Sequence, residues 1–216
     1  MNLKTDLKNL DNLIGGINKK EFITIAGRPG MGKSSLLINI INNVSKQTND
    51  KILYFNLETS KEILKTKIIS DNVEIIDTPA ITIEEIKNKC EEVSKNGLAL
   101  VVIDYAQLIR PATFNTFSSK ILSQVSYTLK NMVLKLNTPI IILSQLSSKT
   151  INDEDKKPQL RDFDNAVALV QDSDKIIFLY KEDFITTNVE LLVVKNRYGA
   201  TGTVKLQFDN DTQTYR

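Results

Sequence analysis

The chain contains no histidine, no tryptophan and a single cysteine, Cys90. Lack of histidine removes the commonest zinc ligand and the commonest general base. One cysteine excludes an intramolecular disulfide and any cysteine-rich metal site. Cys90 lies between Lys89 and Glu91 in a helical pattern, an ordinary helix position rather than the setting of a reactive thiol. Glycine and proline are scarce, 8 and 5 residues, so no low-complexity class applies. A formal net charge of +2 is too small to diagnose a nucleic-acid partner. No apolar run approaches the ~18 residues that span a bilayer. The amino terminus alternates lysine and aspartate among apolar residues, which a signal peptide does not do. The expectation is a cytoplasmic protein with no membrane partner.

What is present fits one core. The 216 residues are 41% hydrophobic and 25% charged, and no linker or internal repeat interrupts them, so a single domain over residues 1–216 is expected. Short apolar runs recur at Phe22–Ala26, Ile52–Asn56, Val73–Ile76, Leu98–Asp104, Pro139–Ser144 and Lys175–Tyr180. Several are apolar at nearly every position, as in parallel strands covered on both faces. Between them Lys33–Lys46 reads as a helix, Thr82 with Glu85 as a capping box ahead of Ile86–Val93, and Ser118–Leu136 as the longest helix, stopped by Pro139. Val189–Lys195 and Thr203–Phe208, joined through two glycines, predict an antiparallel hairpin. The fold class is therefore α/β: a central, mostly parallel twisted sheet flanked by helices, with a C-terminal antiparallel hairpin. The polar stretch Ser147–Pro158 reads as a surface loop or as a loop facing a ligand or partner.

The segment Gly27-Arg28-Pro29-Gly30-Met31-Gly32-Lys33-Ser34 matches the P-loop pattern and stands between a predicted strand and a predicted helix. Its glycines let backbone N–H groups surround phosphate oxygens, and the helix N-terminus favours the same charge. Lys33 can reach the β- and γ-phosphates and the Ser34 hydroxyl can ligate Mg²⁺, with Ser35 following as a further nucleotide contact. Asp104 ends an apolar strand, the setting of a Walker B acid that holds Mg²⁺; alone, it would read as readily as a strand-end cap. Glu58 follows another strand and can orient the water that attacks the γ-phosphate, or else opens a helix beside Thr59 and Ser60. Gln145 ends a third strand, as a γ-phosphate sensor or a turn amide. Lys195 and Arg197 sit two apart at the hairpin tip. There they are ordinary turn charges or, in a ring, fingers that reach a neighbour's γ-phosphate.

Five blocks in order make the chain resemble the C-terminal RecA-like ATPase domain of DnaB-type replicative helicases. They are Leu10–Gly16; Asn56–Ser60; Val102–Ile109; Leu143–Leu146; and the run from Gln171–Asp174 through Phe178–Tyr180 to Lys195–Arg197 with Thr201–Val204. The resemblance implies Glu58 as catalytic base, Gln145 as sensor, and Lys195 with Arg197 as fingers supplied to an adjacent subunit. It also implies ATP and Mg²⁺ as ligands, a hexameric ring on single-stranded DNA, and a helicase loader or primase as possible partner. Three departures stand beside it. The family's N-terminal collar and linker helix have no counterpart. The stretch from Glu58 to Asp104 is short, with Ser70–Val73 in place of several helices. Finally, Asp162–Val167 carries Asp164 where the family's channel loop has arginine, which puts a negative charge toward a phosphate backbone unless Lys156, Lys157 or Arg161 compensates. The rival readings are a RecA-like regulatory ATPase that does not unwind DNA and, more remotely, a small-molecule kinase.

Overall fold

The computed structural model describes residues 2–111, 118–147 and 157–216. In chain order the elements are β1 (Asn2–Leu3), α1 (Lys8–Ile14), β2 (Ile17–Asn18), β3 (Phe22–Gly27), α2 (Lys33–Ser45), β4 (Lys51–Asn56), α3 (Lys61–Lys65) and β5 (Val73–Ile76). They continue with α4 (Ile83–Ser94), β6 (Leu98–Asp104), α5 (Ser118–Leu136), β7 (Ile140–Gln145), α6 (Val167–Asp172), β8 (Lys175–Tyr180), β9 (Asn188–Asn196), β10 (Gly202–Asp209) and β11 (Thr214–Tyr215). Short 3₁₀ segments lie at Ala106–Leu108 and Leu160–Ala166.

One nine-stranded sheet runs in the order β11-β10-β9-β8-β3-β7-β6-β4-β5. From β8 to β5 neighbouring strands are parallel; β9, β10 and β11 are antiparallel. Period-two alternation sends side chains to opposite faces. Ile52 and Tyr54 of β4, Leu100 and Val102 of β6, and Ile141 and Leu143 of β7 join Leu36, Leu37, Ile40, Ile41 and Val44 of α2 in one core. Their strand neighbours Leu53, Phe55, Val101, Ile103, Ile140 and Ile142 join α4, α5 and α6 in the other. Each such side chain contributes about 1.5–3 kcal/mol on leaving water, which is why runs apolar at every position became central strands.

Strand ends fall within one residue of the sequence expectation, and α5 agrees at both ends. Helix α2 stops at Ser45, one residue early. The α4 capping box is present: Glu85 donates its N–H to Thr82 Oγ1 at 3.3 Å and accepts the Thr82 N–H at 2.8 Å. The helix begins at Ile83, three residues before the expected Ile86.

The amino-terminal block is fastened to the sheet by polar contacts. Lys175, buried, donates to Glu21 at 2.6 Å and to the Gly16 carbonyl at 2.9 Å, and Glu21 accepts both N–H groups of Asn18. Of the predicted loop Ser147–Pro158, residues 148–156 lie outside the described ones. Among the described residues no helix is long and apolar enough to cross a membrane.

Candidate functional site

Strands β3, β7, β6 and β4 are consecutive in the sheet, and their carboxyl ends meet on one edge: Gly27 pairs with Gln145 and Asn56 with Asp104, while the β6–β7 register leaves Gln145 two residues beyond Asp104. Beyond β4 the Asn56 side chain accepts the N–H groups of Glu58 and Thr59 at 3.1 and 2.7 Å, a turn that swings Glu58 off the strand. The Leu57 N–H donates to the Asp104 carbonyl at 2.8 Å and ties that turn to β6. Helix α3 starts only at Lys61, so Glu58 is no helix-opening residue.

These ends enclose a cavity of about 350 Å³ lined by Pro29, Gly30, Gly32, Lys33, Ser34, Ser35, Glu58, Thr59, Asp104, Tyr105 and Gln145. Of the other P-loop residues, Gly27 closes β3, Arg28 is buried and offers its carbonyl to Lys33 Nζ at 2.9 Å, and Met31 packs into the core. Gly30 and Gly32 adopt left-handed φ values of 73° and 95°, conformations that favour glycine.

The electrostatics follow from burial. Asp104 is 1% exposed. Burial raises its pKa and nearby Glu58 adds to the rise; hydrogen bonds from Ser34 and Tyr54 and the charge of Lys33 oppose it. The Tyr54 hydroxyl donates to Asp104 at 3.2 Å while accepting from Asn56 Nδ2 at 2.8 Å, and burial pushes the phenol well above its ordinary range. Burial lowers Lys33, against the pull of Asp104 and Glu58. One ammonium thus faces two carboxylates in a partly dry cleft. Ser34 and Asp104 supply an alcohol and a carboxylate oxygen side by side, a set that suits Mg²⁺ because that ion takes one or two protein oxygens and fills its shell from phosphates and water. Among the described residues no cluster of three or more histidine, cysteine, aspartate or glutamate side chains offers a closed metal cage.

Three contributors escaped sequence reasoning. Tyr54 alternates like any core residue, and Asn56 stood in a recognised block without a role. Tyr215 gave no signal at all; its hydroxyl donates to the Gly32 carbonyl at 2.8 Å and its N–H to Asn39 at 3.1 Å, so the C-terminal strand braces the start of α2.

Lys195 and Arg197 are not brought to this cavity. Register places Lys195 opposite Ile176, which pairs with Thr24, three residues before Gly27. Both residues therefore lie toward the amino edge of the sheet, roughly 10 Å down the strand direction from the P-loop. Lys195 is the penultimate residue of β9 rather than part of the turn, and donates to the Val170 and Gln171 carbonyls at 2.7 and 3.0 Å. Arg197 pairs with the buried Asp174 at 3.2 Å, beside Lys130.

Asp164 is exposed, has a left-handed φ of 46°, and lines a smaller cavity with Gln145, Ser147 and Phe163. Lys157 pairs with Glu190, and Lys156 lies outside the described residues. Cys90 is fully buried and its thiol is pushed up to about 12 by burial, as a structural helix residue should be.

The sequence matches the family described as DnaB-like helicase C-terminal domain over residues 2–76 and 67–216. The two matches overlap at the stretch that reads short for the family. The chain is 32% identical to a probable replicative DNA helicase of Trieres chinensis, over 96% of this chain and 55% of that protein. Against the replicative DNA helicase DnaC of Bacillus subtilis (strain 168) the identity is 29%, over 95% of this chain and 54% of that protein. The chain thus spans about half the length of the curated relatives it matches. Two solved structures superpose on all of it. One, described as an ATPase domain, does so with a TM-score of 0.90 at 27% identity, 90% of that chain being covered. A DnaB-like replicative helicase, described with its interactions with primase, gives 0.92 at 28% identity and 63% coverage.

Proposed function

From the premise that the chain belongs to the DnaB-like helicase C-terminal domain family, we propose that it is the Mg-ATP-hydrolysing motor of a replicative DNA helicase, working as a ring on single-stranded DNA. One observation carries the reading: four adjacent strands each deliver one element of phosphate chemistry to a single cavity, namely the P-loop, Gln145, Asp104 and Glu58.

In this reading the backbone N–H groups of the P-loop and the first turn of α2, through Ser35, hold the phosphates, and Lys33 exchanges the Arg28 carbonyl for β- and γ-phosphate oxygens. Ser34 and Asp104 would hold Mg²⁺, which when bound neutralises charge on the β- and γ-phosphates. Glu58, exposed at the mouth of the cavity, accepts a hydrogen bond from the attacking water and aligns it. Gln145 reports on the γ-phosphate. Lys195 and Arg197 serve the next subunit's site. What supports that assignment is their distance from the chain's own P-loop together with an Arg197 side chain 45% exposed, despite its pairing with Asp174.

Single-stranded DNA, a hexameric ring and a loader or primase are the partners this reading entails. Asp164 stands next to Gln145 rather than as a basic contact, so phosphate-backbone affinity in this reading comes from other residues.

Phosphate release with and without single-stranded DNA, together with strand displacement on a forked duplex, tests the proposal. Turnover that is lost in Lys33→Ala and is coupled to displacement supports it. Turnover without displacement or DNA stimulation would favour the regulatory ATPase, and phosphate transfer to an acceptor other than water would rule out both.

A further inference from the structure

The rungs that join β6 to β7 stop at Ile103 and Ile142, where the two strands part and the cavity opens. Strand β7 continues three residues further, to Gln145, and on its other flank stays paired with β3 up to Gly27. Among the described residues, the Gln107 side chain takes the place of the missing rungs on the β6 flank. Gln107 Nε2 donates to the Gln145 carbonyl at 3.0 Å and to Ser144 Oγ at 3.1 Å, and Gln107 Oε1 accepts the Gln145 N–H at 3.3 Å. Gln107 lies in the 3₁₀ turn that begins two residues after Asp104, so this bridge spans the gap between the Asp104 strand and the Gln145 strand. A primary amide offers donor and acceptor in one plane, as a peptide does, and can therefore mimic a strand rung. An exposed glutamine would otherwise keep its rotamer freedom.

We infer that Gln107 is a positioning residue: it clips the peptide of Gln145, fixes that side chain at the phosphate end of the cavity, and couples its setting to the Asp104 strand. The inference rests on the sensor role proposed for Gln145. It adds a route onward, since the Ser147 N–H two residues later donates to the Asp162 carbonyl at 3.1 Å and so joins β7 to the 160–166 turn and α6. A clip of this kind leaves the diphosphate cradle alone and acts only on what distinguishes a triphosphate from a diphosphate.

The test uses the full chain and competition with a fluorescent ADP, in Mg²⁺, to compare affinities for ADP and ATPγS. Gln107→Ala is expected to keep ADP affinity within about twofold and to reduce the preference for ATPγS about tenfold, the scale of one lost hydrogen bond. Gln145→Ala should lose the same preference, and the double variant should be no worse than either single, because both substitutions break one device. Gln107→Glu keeps the acceptor, loses the donors, and supplies the same test should Gln107→Ala fail to fold. An unchanged preference in Gln107→Ala beside a reduced one in Gln145→Ala overturns this inference and leaves the sensor role standing. Equal loss of ADP and ATPγS affinity reduces Gln107 to a structural part and also overturns it. If Gln145→Ala itself changes nothing, the sensor role fails and this inference fails with it.

Discussion

Replacing Asp104 by asparagine should make the nucleotide-free domain more stable while removing its response to magnesium nucleotide. Asp104 is buried, and burial raises its pKa above the ordinary carboxylate value with Glu58 reinforcing the rise. A carboxyl group that binds its proton more tightly when folded loses native stability as pH rises from its unfolded pKa through its folded one, and at neutral pH the full penalty remains. Asparagine keeps the shape and an acceptor for the Ser34 or Tyr54 hydroxyl but carries no charge to desolvate. The gain should be about 0.5–2 kcal/mol. For a domain of this size each kcal/mol moves Tm by roughly 2–4 °C. Wild type at 100 times Kd of Mg-ATP should gain about 2.7 kcal/mol, whereas Asp104→Asn should gain little more with magnesium than without it. Thermal unfolding at pH 4 to 8, with and without ATP and Mg²⁺, measures all of this. The stability difference should shrink as pH falls toward 4 and the aspartate takes up its proton. An apo variant less stable than wild type at pH 7, or one with the wild-type magnesium-dependent shift, would refute the reasoning.

Other expectations follow from the same geometry. Lys175→Met leaves the Glu21 carboxylate buried with only Asn18 as partner and should destabilise by about 3–5 kcal/mol; adding Glu21→Leu should recover much of it, as urea denaturation of both variants would show. Glu58→Gln should lower turnover by about 10²–10⁴ and leave ATP affinity within about threefold, read by phosphate release and equilibrium binding. Cys90, fully buried with a thiol pushed up to about 12, should resist an aromatic disulfide reagent in the native protein and react at once in denaturant.

Much of the fold was legible because burial on both faces forces apolar residues at consecutive positions, and β3, β4, β6, β7 and β8 are such runs. The long helix α5 shows five turns of apolar periodicity, and α4 carries its own capping signal. Helices α1, α3 and α6 have seven residues or fewer, too short to display a period, and β1, β2 and β11 are two-residue strands, too short to show an alternation. At the site, residues whose role is local were readable: the glycines of the P-loop, and carboxylates just past strand ends. Residues whose role depends on a neighbour far along the chain were not. Tyr215 acts through Gly32, 183 positions away, and Gln107 through Gln145, 38 positions away. The hairpin charges fall between: the resemblance implies fingers for them, while only the register shows that their own P-loop is at the other edge of the sheet.

That division of labour is the central claim, and mixing two inactive variants tests it most directly. Lys33→Ala lacks the nucleotide lysine but keeps its fingers; Arg197→Ala keeps the site but lacks a finger. Each alone should turn over little ATP with single-stranded DNA, while an equimolar mixture should recover on the order of a quarter of wild-type turnover, the chance that a competent site meets a competent finger across a head-to-tail interface. A mixture as inactive as its components, or an Arg197→Ala protein that hydrolyses ATP like wild type, would contradict it.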